Sequence, residues 1–213
     1  MEILSACILG LYAALSVWDS YAAARGGKRW AKPLLMPVLI LFCLLFRQAH
    51  GSEYSFLLPF GLICGWLGDV LLLQKGDTFF AGGLASFLVG HLLYAALFLT
   101  RSQVQLPAAV VITAIIYAAA LVIVASRLIP MSPKNLKIPV VCYMSAILFM
   151  SFSACLYMMS RPAFGALSFA GSVLFVISDL VLYIGVLKGR DDGALVMGTY
   201  TAAQLLIALG IIL

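Results

Sequence analysis

Two aspartates stand where aspartate is least expected. Asp69 lies in GWLGDVLLL, residues 65–73, and Asp179 in FVISDLVLY, residues 175–183. Both stretches otherwise read as membrane-buried helix, where an ionisable side chain costs at least about 2.5 kcal/mol and marks a partner or a wet cavity. Two carboxylates in different surroundings can divide acid and base work. Such a pair suits bonds cleaved through an oxocarbenium-like state, one acid protonating while the other activates water. At this location the bond would be an ether-type lipid bond. The same two acids would equally suit a proton-coupled transporter of small molecules or lipids, and residue chemistry alone leaves both readings open.

Other catalytic devices are missing from the sequence. His50 and His91 are the two histidines, and no HExxH or His/Cys cluster accompanies them, so the expected metal content is none. There is no GxSxG elbow, and Ser178 beside Asp179 points elsewhere on a helix. No GxGxxG or Walker loop occurs, and no cofactor is expected. The five cysteines fall in apolar runs without CxxC spacing and read as small buried hydrophobes.

The elements that carry these acids follow from composition. The chain has 213 residues, 64% hydrophobic and 10% charged, too apolar for a soluble domain. Runs long enough to cross a bilayer repeat throughout. We read an all-α membrane protein, one transmembrane domain over residues 1–213. Its eight spans fall at about 3–23, 33–48, 54–73, 79–100, 106–126, 137–159, 164–187 and 193–213. The amino terminus lacks the pattern of a cleaved signal, so the first span reads as retained.

Alternate loops carry Arg25, Lys28, Arg29, Lys32, Lys75, Arg127, Lys134, Lys137, Lys188 and Arg190. The opposite side holds Arg47, Arg101 and Arg161. That bias predicts basic loops in the cytoplasm and both termini on the non-cytoplasmic side. The net charge of +5 therefore serves orientation and anionic headgroups rather than nucleic acid. Asp19, near Arg25 at the inner end of span one, is expected to join an interfacial ion pair.

Asp69 and Asp179 lie 110 residues apart on parallel spans, and AKPLLMP and LKIPVV open spans two and six alike. The pattern predicts two parallel four-helix repeats. Counting 1.5 Å per residue puts Asp69 about 9 Å from Lys75, Asp179 about 13 Å from Lys188, and His91 about 21 Å from Asp77. Two acids and the phenols of Tyr143 and Tyr200 are thus expected at one level, with His91 and Gln204 deeper. Gly61, Gly65 and Asp69 form a smooth strip, read as close helix packing or as room for an acyl chain. Ser172, Phe175, Asp179 and Tyr183 share a face of span seven; Gly83, Phe87, His91 and Tyr94 share one of span four.

The sequence also resembles the YhhN-like lysoplasmalogenase family. KPLLMP at 32–37, GDVLL at 68–72, and the spaced Phe80, Gly83, Phe87, His91 and Tyr94 carry the likeness. Tyr143, GALSFAGSVLFVISDLVL at 165–182 and YTAAQLLIA with Tyr200 and Gln204 continue it. The resemblance implies hydrolysis of the vinyl ether bond of lysoplasmalogens to a fatty aldehyde and glycerophosphoethanolamine or glycerophosphocholine. It further implies a lysophospholipid substrate, membrane lipids as neighbours, and a multi-pass location in a bacterial inner (cytoplasmic) membrane. On that reading Asp69 and Asp179 are catalytic. Lys32, Phe87, His91, Tyr143, Tyr200 and Gln204 bind substrate; Lys32, with Lys137 as a second cation, is the candidate for the phosphate. Oligomeric state is not read from the sequence.

Overall fold

The computed structural model describes residues 2–50, 55–104, 107–190 and 192–213. Eight α-helices make up the described chain: α1 Glu2–Ala24, α2 Lys32–His50, α3 Leu57–Leu72, α4 Asp77–Arg101, α5 Pro107–Met131, α6 Lys137–Ser160, α7 Pro162–Lys188 and α8 Gly193–Ile212. No strand occurs among the described residues. Seven helices are long and apolar enough to cross a membrane; α3, with 16 residues, is the shorter one. The chain is an all-helical integral membrane protein.

Helix ends follow local chemistry. Pro162 opens α7, where a missing N–H costs nothing, and Gly189 closes it in the left-handed conformation with φ 62°. The expected starts at 54 and 106 lie outside the described residues. Span five runs past its expected end at 126 to Met131. Arg127 does not stop it, because a long cationic side chain can reach out to the interface while its backbone stays helical.

The bundle is built from close antiparallel neighbours, α3 with α4 and α7 with α8. α1 packs on α2 and α8, α4 on α6, and α6 on α7. α5 lies outermost against α6 and turns Val111, Ile112, Ile115, Ile116, Val122 and Ile123 outward. A bilayer is the solvent that accepts such a face. The same logic corrects the cysteine expectation: Cys43 and Cys155 are buried, whereas Cys7 and Cys142 are exposed free thiols. In a bundle solvated by lipid, an apolar run does not distinguish inward from outward faces.

The glycine strip of α3 is filled by protein. A Cβ at Gly65 would meet Gln204 Nε2 at 2.8 Å, and one at Gly61 would strike the Tyr94 ring. The strip is therefore close packing, and the acyl-chain alternative for it falls away.

Candidate functional site

Pro33 and Pro37 shape the first half of the site. A residue four places before a proline loses the N–H its carbonyl would accept. The Pro33 carbonyl, orphaned by Pro37, instead accepts a hydrogen bond from Trp66 Nε1 at 2.9 Å. That bond ties the start of α2 to α3 less than one turn before Asp69. Lys32 then meets Asp69, Nζ to Oδ1 at 3.2 Å, with both residues buried. The second oxygen, Oδ2, is buried without a hydrogen bond of good geometry, although the Tyr200 phenol stands close to the carboxylate.

A directional chain aims that phenol. Tyr94 Oη donates to Gln204 Oε1 at 2.7 Å, and Gln204 Nε2 donates to Tyr200 Oη at 3.3 Å. Tyr200 accepts there and keeps its own O–H for Asp69.

The second acid is met by a phenol and an imidazole. Tyr143 Oη donates to Asp179 Oδ2 at 2.5 Å, and His91 Nε2 lies 3.1 Å from Tyr143 Oη and 3.3 Å from Asp179 Oδ2. With the Tyr143 proton committed to the carboxylate, the N–H is on His91 Nε2. Nδ1 of the same ring is buried without a hydrogen-bond partner. Phe175 meets both the His91 and the Tyr200 rings edge-on, at 4.7 and 5.3 Å, and so stands between the two acid clusters.

The depth expectation for His91 is overturned by this contact. His91 touches Asp179 instead of lying some 8 Å further in, as the count along the helices implied. Counting from helix ends gives depth only when those ends are level and the side chains do not lean along their helices, and a sequence fixes neither. Asp19 does join an ion pair. It pairs with Arg29 at 2.5 Å, while the Arg25 guanidinium sits 4.5 Å over the Tyr21 ring. Asp19 is fully buried within the bundle.

Two chambers surround these groups. A polar one of 430 Å³ is lined by Arg29, Lys32, Asp69, Phe87, Asp179, Arg190 and Tyr200, among others. It thus gathers Lys32, Phe87, Tyr200 and both acids. Tyr143 lines a second chamber of 540 Å³, which also reaches Asp179. His91 and Gln204 line neither and are buried behind the walls as supports. Lys137 lines neither chamber. Sequence reasoning missed Arg29 and Arg190 as cavity cations because both had been spent on topology. Arg29 lies three residues before Lys32, the one spacing that could have signalled it.

Known proteins resemble this chain along most of its length. Lysoplasmalogenase TMEM86A of Bos taurus is 30% identical over 193 residues, covering 82% of this chain and 76% of its own. Lysoplasmalogenase TMEM86B of Rattus norvegicus is 32% identical over 184 residues, covering 84% and 72%. Lysoplasmalogenase TMEM86A of Homo sapiens is 29% identical over 191 residues, covering 82% and 76%. No solved structure matches. The YhhN family model matches residues 27–211, a span that takes in both acids, both phenols, the histidine and the lysine, and the chain belongs to the YhhN family.

Proposed function

We propose that this protein is a lysoplasmalogenase, cleaving the vinyl ether bond of lysoplasmalogens within the membrane. The observation that carries the reading is one cavity walled by both carboxylates, Asp69 and Asp179, with cations at Arg29, Lys32 and Arg190. The relatives named lysoplasmalogenase support the same activity. Asp179 alone of the two acids faces both chambers, and we assign it as the proton donor, its acid proton on Oδ1 while Oδ2 accepts from Tyr143. It delivers a proton to the outer vinyl carbon, leaving an oxocarbenium ion at the carbon bonded to oxygen. Asp69, ion-paired with Lys32, takes a proton from water as that water attacks the cation. The hemiacetal collapses to a fatty aldehyde and a free glycerol hydroxyl; the proton gained by Asp69 and the one spent by Asp179 balance through cavity water. Tyr143 and Tyr200 hold the two carboxylates, and Phe87 walls the cavity beside them. Lys32, with Arg29 and Arg190 nearer the mouth, is matched to the lipid phosphate.

We also propose the parallel repeat and the sidedness expected from the sequence. Supporting the repeat, Asp69 on α3 is met from α2 and α8, and Asp179 on α7 from α6 and α4. Exchanging the two four-helix halves exchanges these environments. Supporting the sidedness is the excess of basic loops at one end.

The test is direct. Purified protein mixed with a lysoplasmalogen should release one aldehyde per lipid, and the saturated alkyl ether analogue, which cannot form the cation by protonation, should release none. Folded protein that leaves lysoplasmalogen intact would sink the assignment.

A further inference from the structure

The second chamber has a different character from the first. On α4 it is walled by Ala81, Leu84, Ala85 and Leu88, which recur at helical spacing along one face. Val140 and Met144 of α6 stand opposite. Ala81 and Ala85 are exposed, so the chamber opens sideways between α4 and α6, toward the space that a bilayer fills. At its inner end it reaches Tyr143 and Asp179, and it shares Phe80, Asp179 and Leu182 with the polar chamber. An apolar trough and a pocket of mixed charge, lined by Arg29, Lys32 and Arg190 with Asp69, Asp179 and Asp192, thus meet at one carboxylate.

We infer that the groove between α4 and α6 is a lateral port holding the single aliphatic chain of a lysophospholipid whose reacting bond lies at Asp179. The inference rests on the lysoplasmalogenase reading and adds the chain subsite and the entry route. Continuity with the chamber that holds Lys32, Arg29 and Arg190 selects the occupant: a chain in the groove is joined, past Asp179, to a phosphate near those three side chains. The alanines matter because larger side chains at 81 and 85 would project into the opening.

A saturated alkyl-ether lysophospholipid carrying a diazirine midway along its chain tests this without turnover. Irradiated with the purified protein in lipid nanodiscs, it should label peptides holding residues 81–88 and 139–144. Unlabelled lysolipid should displace that label, and a diacyl phospholipid should not. Ala85→Trp should cut the labelling by about tenfold or more, the effect one misplaced methylene has in an apolar pocket. Ala81→Trp, one turn away, repeats the test should Ala85→Trp not fold. Labelling of the outward face of α5 at Ile112, Ile115 and Ile116 as strong as in the groove would overturn the inference. So would equal displacement by diacyl lipid, or labelling unchanged in both variants. Aldehyde release separates the two readings. A labelled groove with no aldehyde rejects the activity alone, and aldehyde with an unlabelled groove rejects the port alone.

Discussion

At the scale of single residues, the Lys32–Asp69 pair is the most exacting feature. Both groups are buried, so removing one partner strands the other charge, a loss of about 3–5 kcal/mol where such pairs have been broken. Asp69→Asn should therefore lower thermal stability as well as activity. Lys32→Met added to Asp69→Asn should restore most of the lost melting temperature while aldehyde release stays absent; a double variant no more stable than the single one would refute the pairing. Tyr143→Phe removes a hydrogen bond to a carboxylate, worth about 1.5–3 kcal/mol, and should lower kcat by about tenfold or more with KM little changed. Equal turnover in the Phe variant would remove Tyr143 from the mechanism. The acids themselves were legible because an Asp in an apolar run has no cheap explanation. Their partners were not. Lys32 read equally well as an anchor or a phosphate ligand, since its neighbour across α3 is set by the Trp66 bond to Pro33, a contact between residues 33 apart.

At the scale of helices, the site depends on how tightly α7 and α8 are drawn together. A Cβ at Gly171 would lie 2.8 Å from the Ala203 carbonyl oxygen and 2.9 Å from the Ile207 nitrogen. Those are backbone atoms, which cannot rotate away as a side-chain tip can. Gly171→Val should therefore push α8 outward, costing about 1–3 kcal/mol as overpacked interiors do. Because α8 carries Tyr200 and Gln204, activity should fall with stability. Gly198 on the same helix meets nothing within 4 Å, so Gly198→Ala should be neutral or gain up to about 1 kcal/mol from helix propensity. Thermal unfolding of both variants checks the contrast, and equal destabilisation would count against it. The eight segments and the shared faces of spans four and seven were legible from hydropathy and from spacing at three and four residues. The tilt and stagger of the helices were not, because periodicity records which way a side chain points around an axis and not where that axis starts. Hence His91 was expected too deep.

At the scale of the whole molecule, the length of α3 decides the number of crossings. Sixteen residues span about 24 Å, short of the roughly 30 Å hydrocarbon core. Taken alone, α3 could be dismissed, leaving seven crossings and termini on opposite faces. Its packing argues otherwise. Near one end Gly61 lies against Tyr94 of α4, and near the other Leu72 lies against Gly83. α3 thus runs antiparallel beside a 25-residue helix over several turns, and α4 is long enough to cross. Local thinning or tilt absorbs a mismatch of a few ångströms at modest cost. Trp66 and Asp69 further hold α3 against the start of α2, so it cannot lie flat on the surface without breaking the Lys32 pair. On the proposed topology, eight crossings would put both termini on one face, and the distribution of Lys and Arg would make that the non-cytoplasmic one. Reporters that work only outside the cytoplasm should therefore be active when fused to either end of the chain and silent in the loops near Arg29 and Lys134. Activity at one terminus alone would mean an odd number of crossings, and would remove the helix carrying Asp69 from the membrane that the proposed chemistry requires.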